Sequence, residues 1–156
     1  MNPKIVNPRK LFRIMRFLKE RDKRIVTTNG CFDILHRGHV DYLRKAKSLG
    51  HVLVVAVNSD EVVRKLKGKN RPVNDELSRA EVIAALGCVD FVTIFRDRDP
   101  VRFIRFVKPN VHVKAADYSV DKIIEYKAIK SYGGKLALLD FTEGFSTTGI
   151  IERMRK

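Results

Sequence analysis

"TNGCFDILHRGHVDYL", residues 28–43, decides the fold. Its first residues complete "RIVTT" (24–28), which reads as a buried strand. Its last residues open a helix over 38–49, with Val40, Leu43, Ala46 and Leu49 on one face and Gly50 ending it. The junction between them holds Asn29, Gly30, Cys31, Phe32, Asp33, His36, Gly38 and His39. Two chemistries suit it. Cys31, Asp33, His36 and His39 are all possible Zn donors. Alternatively, Gly30 and Gly38 let the backbone approach a ligand closely. The free N–H groups and positive dipole end of the helix would then attract phosphate. In that reading the two imidazoles donate to phosphate and stabilise charge as it grows.

Working outward, the same alternation recurs. Residues 8–22 read as a basic amphipathic helix, with Leu11, Ile14, Met15 and Leu18 on its apolar face. Such a helix can lie on a membrane, but packing on its own domain is the commoner use. After the junction come a strand at 52–59, a short helix at 60–66, a loop "KGKNRPV" and a helix at 76–87. Then follow a strand at 91–95, a helix at 100–107 and a strand at 111–114. A helix at 120–132, a strand at 135–141 and a helix from "STTGIIERMRK" close the chain. Strands alternating with helices imply crossover units, and continuous apolar strands imply a sheet covered on both faces. The expectation is one α/β domain over 1–156, a doubly wound, mainly parallel five-stranded sheet, with residues 1–23 packed on it as an N-terminal helix.

In such sheets ligands bind beyond the carboxyl ends of the strands. That rule selects the loops 29–39, 58–72, 96–99, 114–119 and 142–148. In the second, "KLKGKNRP" (65–72) places Lys65, Lys67, Lys69 and Arg71 around Gly68, after Asn58 at the strand end. A run of this kind is ordinarily a solvated loop; beside His36 and His39 it suits a polyphosphate clamp. In the fourth, Lys114, Asp117 and Tyr118 suit a nucleoside or sugar pocket. In the fifth, Gly144 precedes Ser146 and Thr147, either of which can cap the last helix. Their hydroxyls and the leading N–H groups can also hold a phosphate oxygen. The metal reading lacks a second ligand pair downstream, so no protein-bound metal is expected.

The net charge of +14 and a pI of about 10.1 favour anionic partners. The basic residues are spread along the chain, which also suits a solvated Lys/Arg-rich surface. Cys31 and Cys88 make neither a CxxC pair nor a disulfide framework, as in a reducing compartment. The basic N-terminal stretch lacks the apolar core of a signal peptide, and no apolar run approaches membrane-spanning length. A cytoplasmic protein with no membrane partner is expected. No helix-turn-helix signature or aromatic stacking strand supports nucleic-acid binding.

HxGH at 36–39, "LKGKNRPV" at 66–73, "ADY" at 116–118 and "GFSTTGII" at 144–151, in that order, resemble the cytidylyltransferase-like nucleotidyltransferases. With "NGCFDILHRGHVDYL" and "AVNSD", they are most similar to the D-glycero-β-D-manno-heptose 1-phosphate adenylyltransferase group. The resemblance covers roughly residues 24–155. It implies a Rossmann-like fold and transfer of AMP from ATP to a phosphorylated sugar, with release of pyrophosphate. It implies Mg²⁺ held mainly by the triphosphate. It also implies that His36 and His39 contact the phosphates and that Lys67 holds the triphosphate and the acceptor. Ser146 and Thr147 would bind the β and γ phosphates. Asn29, Gly30, Cys31 and Phe32 would form the first phosphate-side loop. Asp117 and Tyr118 would match the nucleotide pocket. Where the family usually has Lys-Gly-Gly-Asp-Tyr, this chain has "KAADY". Bifunctional relatives carry a sugar kinase in front, so a separate kinase is expected here, and a homodimer is the default assembly. The rival enzyme reading is a glycerol-3-phosphate cytidylyltransferase using CTP. That group usually has Gly-Thr-Phe-Asp where this chain has "GCFD".

Overall fold

The run VLVVAVN is apolar except at its end, and as β2 (Val52–Asn58) it is buried at every position. Its side chains alternate between two cores: Leu53, Val55 and Val57 enter one, Val54 and Ala56 the other. A parallel strand covered on both faces requires this pattern. The computed structural model describes residues 1–97, 99–116, 123–140 and 144–154. Within them β1 (Ile25–Gly30), β2, β3 (Phe91–Phe95), β4 (Val111–Ala115) and β5 (Lys135–Leu139) form one sheet. The strand order is β3-β2-β1-β4-β5 and every pairing is parallel.

The helices described are α1 (Pro8–Lys19), α2 (Arg37–Lys47), α3 (Asp60–Lys67), α4 (Glu76–Ala84), α5 (Val101–Val107), α6 (Tyr126–Lys130) and α7 (Thr147–Met154). α2 and α4 cover one face of the sheet through Tyr42, Leu43, Ala46, Ala80, Ile83 and Ala84. α1, α5 and α6 cover the other, through Leu11, Met15, Phe103, Ile104, Val107, Ala128 and Ile129. Asn7 caps α1 by accepting from the Lys10 N–H at 2.9 Å, with Pro8 at the first helical position. Leu11 and Met15 are almost fully buried, each worth roughly 1.5–3 kcal/mol. That burial fixes α1 on its own domain.

The sequence reading needs four corrections here. Asn29 and Gly30, read as loop, are the last two residues of β1. Lys67, read as the start of the loop, closes the last turn of α3. The helix read over 120–132 begins only at Tyr126 in the described residues, with Ile123–Glu125 ahead of it in a non-helical segment. Finally, residues 4–6, included in the expected N-terminal helix, pair with β3 instead: Val6 N–H donates to Val92 O and Val92 N–H to Lys4 O, both at 2.9 Å. This bridge covers part of the β3 edge, which would otherwise expose unpaired backbone groups.

The strand order reverses next to β1. The chain goes from β1 outward to β2 and β3, then returns to place β4 on the other side of β1. β1 pairs with β4 only as far as Thr28 with Val113, while Asn29 and Gly30 continue against β2. Lys114 and Ala115 of β4 pair with β5. The two central strands therefore part at their carboxyl ends, and a crevice opens where doubly wound sheets bind ligands.

Candidate active site

The crevice is a cleft of about 660 Å³. Asn29 and Gly30 form its floor, Phe32, His36 and His39 one wall, and Lys114 and Ala115 the other. Lys67 and Arg71 come from the α3–α4 side, and Ser146, Thr147 and Thr148 from the start of α7.

Local backbone shape sets the histidine wall. Phe32 sits in the left-handed region (φ 46°) and its ring lies over Gly30. A Cβ on Gly30 would stand 3.0 Å from that ring. His36 is the extended N-cap residue of α2 and makes no side-chain cap bond. A Cβ on Gly38 would stand 3.1 Å from the His36 ring and 3.2 Å from Cβ of Phe145. Glycine there lets His36 stack on His39 with ring centroids 3.8 Å apart, while Phe32 meets His39 edge-on at 5.3 Å. Both Nδ1 atoms are shielded and have no hydrogen-bond partner among the described residues. Burial lowers the His36 pKa. Burial, and then the His36 charge, lower that of His39 to about 4. Both imidazoles are therefore neutral near pH 7. They can donate to an anion at little reorganisation cost and gain a proton once its charge is beside them.

A buried electrostatic clamp holds the second loop. The Asp33 carboxylate, 3% exposed, accepts from Arg71 Nε at 2.5 Å and from the N–H groups of Val73 and Asn74 at 2.8 and 3.0 Å. Burial would raise its pKa, but these bonds and the Arg71 charge outweigh burial and lower it. Arg79, 1% exposed, donates to the carbonyls of Asn74, Cys31 and Asn58 and to Asp60 Oδ1. One guanidinium thus ties the ends of β1 and β2 to the loop carrying Arg71. Cys31 accepts from Asn58 Nδ2 at 3.6 Å. Burial is the dominant influence on its thiol and raises its pKa, so it is no thiolate nucleophile.

On the opposite wall Lys114 Nζ lies 2.5 Å from Glu125 Oε1, and the same oxygen lies 3.6 Å from His112 Nε2. Burial would raise the Glu125 pKa, but His112 and Lys114 hold it at about 2. Thr27 Oγ1 meets His112 Nδ1 at 2.8 Å, which anchors the group to β1. Phe95, Pro100, Ile123 and Ile124 supply an apolar end to the cleft.

At α7, Ser146 Oγ accepts from the Gly149 N–H at 3.0 Å, and Thr147 Oγ1 donates to Ile34 O at 3.4 Å. Ser146 is the cap and keeps its own proton to donate. Two helix starts, those of α2 and α7, therefore face one cleft.

Of the residues expected from sequence, Asn29, Gly30, Cys31, Phe32, His36, His39, Asn58, Lys67, Arg71, Lys114, Ser146 and Thr147 line the cleft. Gly38 and Gly144 do not. Gly38 makes room behind His36, and Gly144 supplies a left-handed turn (φ 80°) before α7. Lys65 and Lys69 are not among the lining residues, and Lys65 pairs with Glu61 on the exposed side of α3. Asp117 and Tyr118 lie outside the described residues. The Zn donor set proposed for the junction is dispersed in function: the Asp33 carboxylate is committed to Arg71 and the loop amides. Sequence reasoning missed Arg79, Glu125, Phe145 and the supporting role of Asp33. Asp33 meets Arg71, Val73 and Asn74 across 38 to 41 residues, and Arg79 reaches Cys31 across 48, so no local spacing signals them.

Comparison with known proteins agrees with this geometry. The family model described as cytidylyltransferase-like matches residues 27–153. The chain is 49% identical over 152 residues to "Bifunctional protein HldE" of Geotalea uraniireducens, covering 97% of the chain and 31% of that protein. It is 54% identical over 142 residues to the protein of the same name from Campylobacter jejuni subsp. doylei, covering 91% and 30%. It therefore spans about a third of the length of these curated relatives. Among solved structures, the lipopolysaccharide core biosynthesis protein of Thermoplasma volcanium superposes with a TM-score of 0.65 at 31% identity, covering 77% of this chain and 97% of that one. A Francisella tularensis pantoate-beta-alanine ligase shares the fold alone, with a TM-score of 0.62 at 15% identity. With most of its length matched by the family model and its histidine junction at the sheet's switch point, the chain belongs to the cytidylyltransferase-like family and is a nucleotidyltransferase.

Proposed function

We propose that the chain transfers AMP from ATP to D-glycero-β-D-manno-heptose 1-phosphate, giving ADP-heptose and pyrophosphate. One observation carries the chemistry: the stacked His36–His39 pair, with both Nδ1 atoms unpartnered, set between two helix starts. The choice of adenylate and heptose rests on the sequence resemblance and on relatives about half identical to the chain. Those relatives do not favour the cytidylyltransferase alternative.

An oxygen of the acceptor phosphate attacks the α-phosphorus as the bond to the β-phosphate oxygen breaks. Pyrophosphate leaves with that electron pair. The acceptor is already anionic, so no strong general base is needed, and positioning with charge neutralisation supplies the rate. His36 and His39 donate to oxygens at the α-phosphorus, where negative charge rises. Lys67 and Arg71 neutralise the triphosphate, with Arg71 aimed by Asp33. Ser146 and the first N–H groups of α7 hold the leaving phosphates. Lys114, Asp117 and Tyr118 belong to the sugar or base pocket in this reading. The described cleft carboxylates, Asp33 and Glu125, are engaged in ion pairs. Mg²⁺ is therefore assigned to the triphosphate, where it shields charge. A sugar kinase activity supplies the acceptor, the working assembly is a homodimer in the cytoplasm, and residues 1–156 act as one domain.

The test is pyrophosphate release with Mg²⁺ and each of ATP, GTP, CTP and UTP, paired with heptose 1-phosphate or glycerol 3-phosphate. Turnover with ATP and heptose 1-phosphate, reduced roughly 10²–10³-fold in His39→Ala, is the expected result. Turnover confined to CTP and glycerol 3-phosphate would keep the mechanism and overturn the substrates.

A further inference from the structure

The opposite edge of the sheet carries a second cleft, of about 580 Å³, which the reaction does not use. It lies where α1, α5 and α6 end and where β1 and β5 begin. Lys19, Lys23, Arg24, Lys108 and Lys135 line it, against one carboxylate, Asp22. Among the described residues none of these five cations makes an ion pair. Lys19 Nζ donates to Val107 O at 2.6 Å, and its pKa is lowered by burial and by the Lys108 charge beside it. The lysines thus converge and repel one another.

Helix ends offer a simpler reason for the cluster, because the carbonyl end of a helix attracts cations. Each end is worth at most about half a negative charge, so three contribute roughly −1.5, and the five-residue α6 contributes less than its share. Five cations against one carboxylate leave a formal excess of four. The helix ends therefore account for one or two of the cations and leave the rest unbalanced. Asp22 (φ 52°), Lys108 (φ 45°) and Gly133 (φ 78°) take the left-handed turn that commonly stops a helix, so the ends of α1, α5 and α6 lie around this cleft. The floor is fixed, since Asn110 Oδ1 accepts from the Ile25 N–H at 2.7 Å and the Asn110 N–H donates to Ile25 O at 2.9 Å.

We infer that this cleft is a second anion site, separate from the catalytic one, which binds a compact phosphate-bearing ligand of two or more negative charges. Lysine ammonium groups suit phosphate as point charges from several directions. The charge excess calls for a multiply charged ligand, and the convergence of the cations on one cleft favours the concentrated charge of one or two phosphate groups over the spaced carboxylates of an acidic peptide. This inference is independent of the substrates proposed above.

The test is residue-resolved. Amide ¹H–¹⁵N spectra of the full chain are recorded during titration with sodium pyrophosphate, against sodium chloride at matched ionic strength. The expected result is a saturable shift at Asn110, Gly133 and Gly134 that chloride does not reproduce. In the double variant Lys108→Asn with Lys135→Thr the same shifts should need about tenfold more pyrophosphate. Asparagine tolerates the left-handed geometry at position 108. Neither residue touches the catalytic cleft, so turnover should be unchanged. Shifts confined to the His36–His39 junction would overturn the second site, as would shifts equal in chloride or unchanged in the double variant.

Discussion

At the residue scale the histidine pair sets the chemistry through its stacking. At a centroid distance of 3.8 Å two imidazolium rings would repel strongly, so the free pair resists carrying two positive charges. The His39 pKa of about 4 expresses this together with burial. A triphosphate reverses the balance by placing negative charge against the rings. Binding should therefore take up a proton between pH of about 4 and about 6.5. Calorimetry of a non-hydrolysable ATP analogue in buffers of different ionisation enthalpy would measure that uptake, and His39→Gln should remove most of it. Gly38 gives a second prediction. Its missing Cβ makes space for the His36 ring and for Phe145. Gly38→Ala should push His36 from its stacked position and lower kcat about 10²-fold, with thermal stability changed by no more than about 1 kcal/mol. Steady-state kinetics beside a melting curve would separate the two effects. A loss of folding in step with activity would show that Gly38 acts on packing alone.

At the scale of elements, the second loop works because Arg79 and Asp33 hold it to the end of β1. Arg79 is almost fully buried, and its four bonds join Cys31, Asn58, Asp60 and Asn74. Arg79→Met keeps the volume and strands those acceptors, which should cost roughly 3–5 kcal/mol. Urea unfolding would measure the loss, and faster tryptic cleavage after Lys67 and Lys69 would show that the loop is released first. These elements also mark where sequence is informative. The junction at 28–43 was legible because a strand, a helix start and its glycines are all local signals. The two-faced burial of β2 was legible for the same reason. Arg79 was not, because a charged residue in "DELSRAEVIAAL" (75–86) reads as solvated surface of an amphipathic helix. Only a partner set 19 to 48 residues distant takes it inside. Lys114 was read as a free ligand group because Glu125 stood in a stretch assigned to regular helix. The true start of α6 at Tyr126 turns Glu125 inward.

At the scale of the whole molecule, acid stability follows from where the perturbed groups lie. His39 is held below its ordinary pKa of 6.5, so the unfolded chain binds a proton that the folded chain refuses. Stability should therefore fall as pH drops from about 6.5 to about 4. His39 contributes at most one proton's worth to the slope, about 1.4 kcal/mol per pH unit, and His36 and His112, also lowered by burial, add to the same stage. Glu125 works in the same direction from a different cause. Its folded pKa of about 2 lies below the ordinary 4.5, so its contribution is complete above 4.5 and lost as pH falls toward 2. Asp33, also lowered, adds to that acid region. Denaturation free energies measured across pH should thus fall in two stages. Replacing His39 with Gln should make the upper stage shallower and leave the lower. Replacing Glu125 with Gln should flatten the lower and also reduce stability at neutral pH, because the Lys114 ammonium loses its counter-charge. If neither variant changed its own stage, the two walls of the cleft would not be electrostatically distinct as their packing requires. The whole molecule then has a simple logic: the same burial that keeps the histidines neutral until phosphate arrives makes the cleft the acid-sensitive part of the fold.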